Sequence, residues 1–237
     1  MKKIFWYCSG FFKDDNKNEK ILDAFMAGGC SAVEWTIPVE NPYREQDHLK
    51  PFVNKAYQQH PSMSEHLDMM AKFRKKYPDA EIFPALYQES IYKIGLEPLV
   101  KFCKDNKIDT IFEIGTVDSY LTEYLMKNGL KITTTVSYYM TDEELEKVRK
   151  NDGFIYMQAL PYQKELDAGY TTARLKEVIE HLRKIAPGRP IYCAKGIKKP
   201  EHVKIVEESG GDGFILGSFT FDYYDKLDEL VEIVKQF

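Results

Sequence analysis

The sequence predicts an α/β fold closed as a (β/α)8 TIM barrel, with one domain spanning residues 1–237. Short β-rich runs alternate with stretches of helical period along the whole chain, and the alternation counts out to eight units. At 237 residues and 43% hydrophobic content, the chain also has the length and apolar mass of one such core.

The units follow in order. Strand 4–8 leads to helix 21–27, strand 32–37 to helix 66–76, and strand 82–87 to helix 96–106. Strand 110–114 then leads to helix 119–128, strand 132–137 to the charged helix 142–150, and strand 154–158 to helix 174–185. Strand 191–193 with helix 200–209, and strand 214–216 with helix 224–234, complete the set. Strands 110–114 and 191–193 carry the weakest signals, and a chain lacking both would suit an open doubly wound sheet. The connection from Pro38 to Ser64 is unusually long for a βα loop, which points to function rather than plain linkage. Helix 142–150 reads most simply as a solvated face.

Composition narrows the partners. A net charge of -4 and a pI near 5.8 offer no basic field for nucleic acid. Cys8, Cys30, Cys103 and Cys193 have no paired spacing, so they read as small apolar core residues in a reducing compartment. No signal peptide or membrane-spanning run is evident, and the expected location is the cytoplasm with no membrane contact. His48, His60 and His66 lie in or beside the long connection without metal-site spacing, and are expected at the surface; no metal is expected.

The chemistry concentrates in residues 32–46, where an apolar strand runs into a Pro-bracketed loop holding Glu34, Glu40 and Glu45. Glu34 interrupts a run (Ala32, Val33, Trp35, Ile37) that otherwise reads as buried strand. A carboxylate there must be paired or used, because burying it alone raises its pKa or destabilises the strand. The bland alternative is a structural ion pair with Lys195 or Arg44. In a barrel, function sits at the C-terminal strand ends. Two of these ends fit an anion cradle: Lys195-Gly196 after the seventh strand and Gly217-Ser218 after the eighth, where Gly turns expose backbone N–H groups.

The segment Val33-Glu34-Trp35-Thr36-Ile37-Pro38-Val39-Glu40-Asn41-Pro42 resembles the Leu-Glu-Leu-Gly-Ile-Pro-Phe-Ser-Asp-Pro run of the tryptophan synthase alpha subunit family, and the resemblance covers nearly the whole length. That family is a TIM-barrel lyase that cleaves indole-3-glycerol phosphate to indole and glyceraldehyde 3-phosphate without a cofactor. The resemblance implies that Glu34 is the catalytic acid/base and that Glu45 stands for a second family carboxylate, eleven residues on. It makes Tyr156 a pocket residue, and Gly196, Gly217 and Ser218 phosphate contacts, with Lys195 adding charge. Trp35, Phe83, Tyr87 and Tyr156 would wall a flat indole. A PLP-dependent beta subunit is the implied partner, and a phosphorylated indole the implied substrate.

The sequence also departs from the family. The Gly-Val-Thr-Gly phosphate loop after the sixth strand is replaced by residues 160–169, Leu-Pro-Tyr-Gln-Lys-Glu-Leu-Asp-Ala-Gly, and the early Thr-Ala-Gly-Asp-Pro turn by Ser9-Gly10-Phe11-Phe12-Lys13. Two other readings therefore stay open: a diverged barrel enzyme that keeps the acid/base Glu for another substrate, and a non-catalytic homologue that binds a partner.

Overall fold

The computed structural model describes residues 1–237. Nine parallel strands make one sheet: β1 (Lys2–Cys8), β2 (Ala32–Thr36), β3 (Glu81–Tyr87), β4 (Thr110–Ile114), β5 (Lys131–Ile132), β6 (Thr134–Val136), β7 (Ile155–Gln158), β8 (Ile191–Ala194) and β9 (Gly213–Leu216). Their hydrogen-bonded order is β5-β4-β3-β2-β1-β9-β8-β7-β6. The extra strand arises because the fifth barrel strand is parted at Thr133. The Thr133 N–H donates to the Ile111 carbonyl (3.0 Å), and the next N–H, of Thr134, donates to the Phe154 carbonyl (3.2 Å). The chain thus steps from one edge of the sheet to the other and closes the barrel. β4 pairs with β5 only at Thr110 and Ile111, so the wall above that level is nearly, not fully, laddered. Both weakly signalled strands form, and the barrel expectation is borne out.

Helices cover the outside. The first, α1 (Asp15–Ala27), starts earlier than its apolar period suggests, because Asp14 caps it by accepting from the Asn16 N–H at 3.0 Å. The expectation of one long loop at 38–64 is corrected: α2 (Lys50–Gln59) lies within it and α3 (Met63–Lys76) begins there. Pro51 sits in the first turn of α2, and Val53 and Ala56 bury against Cys8. The others are α4 (Gln88–Ile94), α5 (Leu96–Asp105), α6 (Ser119–Lys127), α7 (Asp142–Lys150), α8 (Gln163–Asp167), α9 (Ala173–Ile185), α10 (Pro200–Glu208) and α11 (Leu227–Lys235). A 3-10 helix, Ser218–Tyr223, follows β9. In α7 only Val148 is buried, as a solvated helix requires. No helix is long and apolar enough to cross a membrane.

The surface expectation fails for two histidines. His60 and His66 are buried because both ring nitrogens of each are used. Those of His60 meet Glu65 and the Phe12 carbonyl, each at 3.0 Å; those of His66 meet the Ser9 hydroxyl (2.9 Å) and the His60 carbonyl (2.8 Å). Burial pulls the His66 pKa down to about 4, so it stays neutral. His48 is exposed, as expected. All four cysteines are free and buried.

The core has two compartments, set by strand alternation. Val33, Trp35 and Ile37 face the helices, whereas Ala32, and with it Ile4, Trp6 and Phe83, face the barrel interior. At the N-terminal end Phe83, Phe154 and Tyr192 pack ring against ring, with centroids 4.8 and 4.9 Å apart along the chain of contacts, and form a dry floor.

Candidate active site

Glu34 has the interior parity of β2, beside Trp6 of β1 and Phe83 of β3 in register. It is 5% exposed, and it enters neither a side-chain hydrogen bond nor an ion pair; its Oε2 is buried without any partner. The structural ion pair with Lys195 or Arg44 is therefore not made. Burial drives the Glu34 pKa up to about 8; Glu45 adds to the rise through like charge, and Lys195 opposes it. At neutral pH most of this carboxyl carries its proton.

Glu45 comes to the same place from the loop after β2. Burial raises its pKa as well, while the Tyr87 hydroxyl, which donates to its Oε1 at 3.2 Å, and Lys195 hold it back. The loop is fixed from two sides. Tyr43 packs edge-on against Tyr87, with centroids 5.5 Å apart. Gly115, at φ +83°, lies so close beneath the loop that a Cβ there would fall 2.4 Å from the Tyr43 hydroxyl. From the rim, Gln46 Nε2 donates to the Tyr162 hydroxyl (3.1 Å) and ties this loop to the one after β7.

Glu34, Glu45, Tyr156, Lys195, Gly196, Gly217 and Ser218 all line one cavity of about 1230 Å³, which opens at the C-terminal rim and continues between α6 and α7. Tyr87 stands behind Glu45 as its hydrogen-bond donor. Three of the expected wall residues are corrected. Tyr87 does not line the cavity, Trp35 has the outward parity and packs on Tyr7 and Phe73, and Phe83 belongs to the floor. The walls come instead from Trp6, Phe112 and Tyr156, the last two with ring centroids 4.8 Å apart. Trp6 is held by a bond from its Nε1 to the Thr36 hydroxyl (2.8 Å) and by stacking on Phe221 at 5.2 Å. Sequence reasoning missed Trp6 and Phe112. Applying the alternation that sets Glu34 inward to β1 and β4 would have found them.

The backbone N–H groups of Gly196, Gly217 and Ser218 donate to no protein acceptor, so both glycine turns offer free donors at the rim. The loop after β7 does not. Leu160 N–H is spent on the Lys195 carbonyl (3.4 Å), Pro161 has none, and Tyr162 N–H donates to the Glu165 carboxylate (2.8 Å). Glu165 is 0% exposed, so this loop places a carboxyl group of its own on the amide that a phosphate would need. No three His, Cys, Asp or Glu side chains converge to hold a metal.

A barrel whose mouth joins a protonated, unpaired glutamic acid to a second carboxylate and aromatic walls has the equipment of an acid/base carbon–carbon lyase. The sequence profile of the tryptophan synthase alpha chain family matches residues 4–236, and the chain belongs to that family, whose members cleave indole-3-glycerol phosphate to indole and glyceraldehyde 3-phosphate. The tryptophan synthase alpha chain of Methanocaldococcus jannaschii is 28% identical, covering 90% of this chain and 83% of its own. That of Photobacterium profundum is 27% identical, covering 84% and 75%. Among solved structures, a tryptophan synthase complex from Pyrococcus furiosus superposes with a TM-score of 0.82 at 18% identity, covering 99% of this chain and 96% of that one. The alpha subunit from Legionella pneumophila also scores 0.82, at 17% identity, covering 99% and 90%. At such identities the structural likeness concerns the fold.

Proposed function

We propose that this chain cleaves indole-3-glycerol phosphate by a retro-aldol step with Glu34 as catalytic acid/base. The observation that carries the reading is the buried, unpaired carboxyl of Glu34 at the barrel mouth, with its pKa raised to about 8. Protonated Glu34 gives its proton to indole C3, and the C–C bond electrons pass to the ring as the side-chain hydroxyl becomes a carbonyl. The resulting carboxylate takes the hydroxyl proton, so the residue ends as it began. Glu45, oriented by Tyr87, accepts the indole N–H and stabilises positive character on that nitrogen. Trp6, Phe112 and Tyr156 hold the bicyclic ring. The free N–H groups of Gly196, Gly217 and Ser218 take the phosphate.

The test is indole release: purified protein frees indole and glyceraldehyde 3-phosphate from indole-3-glycerol phosphate, and a Glu34→Gln variant that keeps the full rate contradicts the reading.

A second reading, a changed substrate, rests on Glu165, which closes the loop after β7 against an anion. A thermal-shift series of phosphorylated and unphosphorylated indole and sugar compounds separates the two, because only an occupied site raises Tm. A beta-type subunit is the proposed partner. One related structure concerns mutual activation of an α2β2 complex from Pyrococcus furiosus, and exposed Tyr43 and Tyr139, with Leu166 of α8, give this chain apolar surface. Co-purification tests it. The four free thiols support a cytoplasmic location.

A further inference from the structure

Lys195 is the group at the mouth that the cleavage chemistry uses least. By the alternation of β8, in which Tyr192 and Ala194 face the interior while Ile191 and Cys193 face the helices, residue 195 belongs to the outward parity. It does not follow it. Its backbone adopts φ +69°, a conformation that non-glycine residues rarely hold and that concentrates at functional sites. This turns the side chain back over the cavity, with Nζ 5.6 Å from the Tyr156 ring centroid. The ion pair of the neighbouring loop goes to Lys164, which meets Glu165 at 3.3 Å, and Lys195 Nζ has no ion-pair partner. Lys195 is exposed to solvent through the mouth while lying within the walls of the cavity. Partial desolvation there lowers its pKa; Glu34 and Glu45 pull the other way, while Arg44 and Lys164 reinforce the fall.

We propose that Lys195 is a carbonyl-capturing amine, which forms an imine with the phosphorylated hydroxyaldehyde released by carbon–carbon cleavage. This rests on the lyase reading for the identity of the aldehyde. Cleavage leaves the carbonyl carbon at the end of the three-carbon chain away from the phosphate, beside Glu34, and Lys195 is turned over that same cavity, near enough to feel the charges of Glu34 and Glu45.

The step balances without any oxidant or reductant. The neutral amine attacks the aldehyde carbon and a C–N bond forms. The carbonyl oxygen takes a proton from Glu34, which regained one in the cleavage, and the nitrogen yields a proton to Glu45. Glu45 then returns its proton to the carbinolamine hydroxyl, which leaves as water while the nitrogen lone pair forms the double bond, giving the protonated imine C=N. Hydrolysis reverses the sequence and frees the product.

The experiment traps the imine. Full-length protein is incubated with glyceraldehyde 3-phosphate and cyanoborohydride, which delivers hydride to C=N, and modified lysines are located by peptide mass spectrometry. Lys195 is expected to be labelled several-fold faster than any other lysine, since its amine lies in the cavity that receives the aldehyde and its lowered pKa enlarges the neutral-amine fraction. Inorganic phosphate should slow that labelling, and a Lys195→Arg variant, which keeps the charge and cannot form an imine, should lose it. Labelling spread evenly over surface lysines, or none at Lys195, overturns the inference. Were phosphate to raise the Tm of a protein that the aldehyde leaves unlabelled, Lys195 would be a charge at the rim and nothing more. Indole release is scored separately on indole-3-glycerol phosphate. Release without labelling at Lys195 overturns the imine and spares the lyase, whereas labelling without release upholds the imine and overturns the substrate.

Discussion

The two ends of the barrel interior are lined by the same strands with the same parity and have opposite chemistry. At the N-terminal end, Phe83, Phe154 and Tyr192 are buried and meet ring to ring. At the C-terminal end, Glu34, Glu45 and Lys195 share an open cavity. The two ends meet at Glu34, whose register partner on β3 is Phe83, and burial, more than the charge of Glu45, raises its pKa.

The sharpest way to break this contrast is at the mouth. Glu34→Gln keeps the shape and removes the proton shuttle, and should lower kcat for indole release by roughly 10²–10⁴-fold with little change in fold, as circular dichroism would check. At the floor, Phe154→Ala opens a cavity in a packed aromatic cluster and should destabilise the protein by about 3–5 kcal/mol in urea unfolding.

Titration tests the link between the two ends. Glu34 ordinarily titrates near 4.5 and in the fold near 8, so the folded state holds an extra proton between these values. Stability contributed by this group is fully present below about 4.5, is lost as pH rises through about 8, and is constant above. A plot of Tm against pH should decline across that window in the wild type and flatten in Glu34→Gln. The lyase rate should fall above pH 8 as the acid form disappears. The smallest effect belongs to Tyr87→Phe, which deletes one hydrogen bond to Glu45 and should cost about 1 kcal/mol, read as a several-fold loss of kcat/KM.

Much of the fold was legible in the sequence because alternation is a local signal. The periods of residues 32–37 and 142–150 are written in neighbouring residues. The helix α2 was hidden because its buried side consists of little more than Val53 and Ala56, too faint a stripe to register against Pro51 and its polar neighbours. Burial of His60 and His66 was equally invisible, since it depends on carbonyls and hydroxyls brought from Phe12 and Ser9.

By itself, the sequence determined the (β/α)8 class and singled out Glu34, because a lone carboxylate in an apolar strand is a local contradiction that only use or pairing resolves. Tertiary structure decided that pairing does not resolve it: the closed barrel buries Glu34 and leaves its Oε2 unpartnered. It also decided that Trp6 and Phe112, not Trp35, face the cavity. The physical reason is that parity is relative. Each strand alternates on its own, but which of its faces is the inside is settled only when parallel pairing and barrel closure bring strands distant in sequence into register.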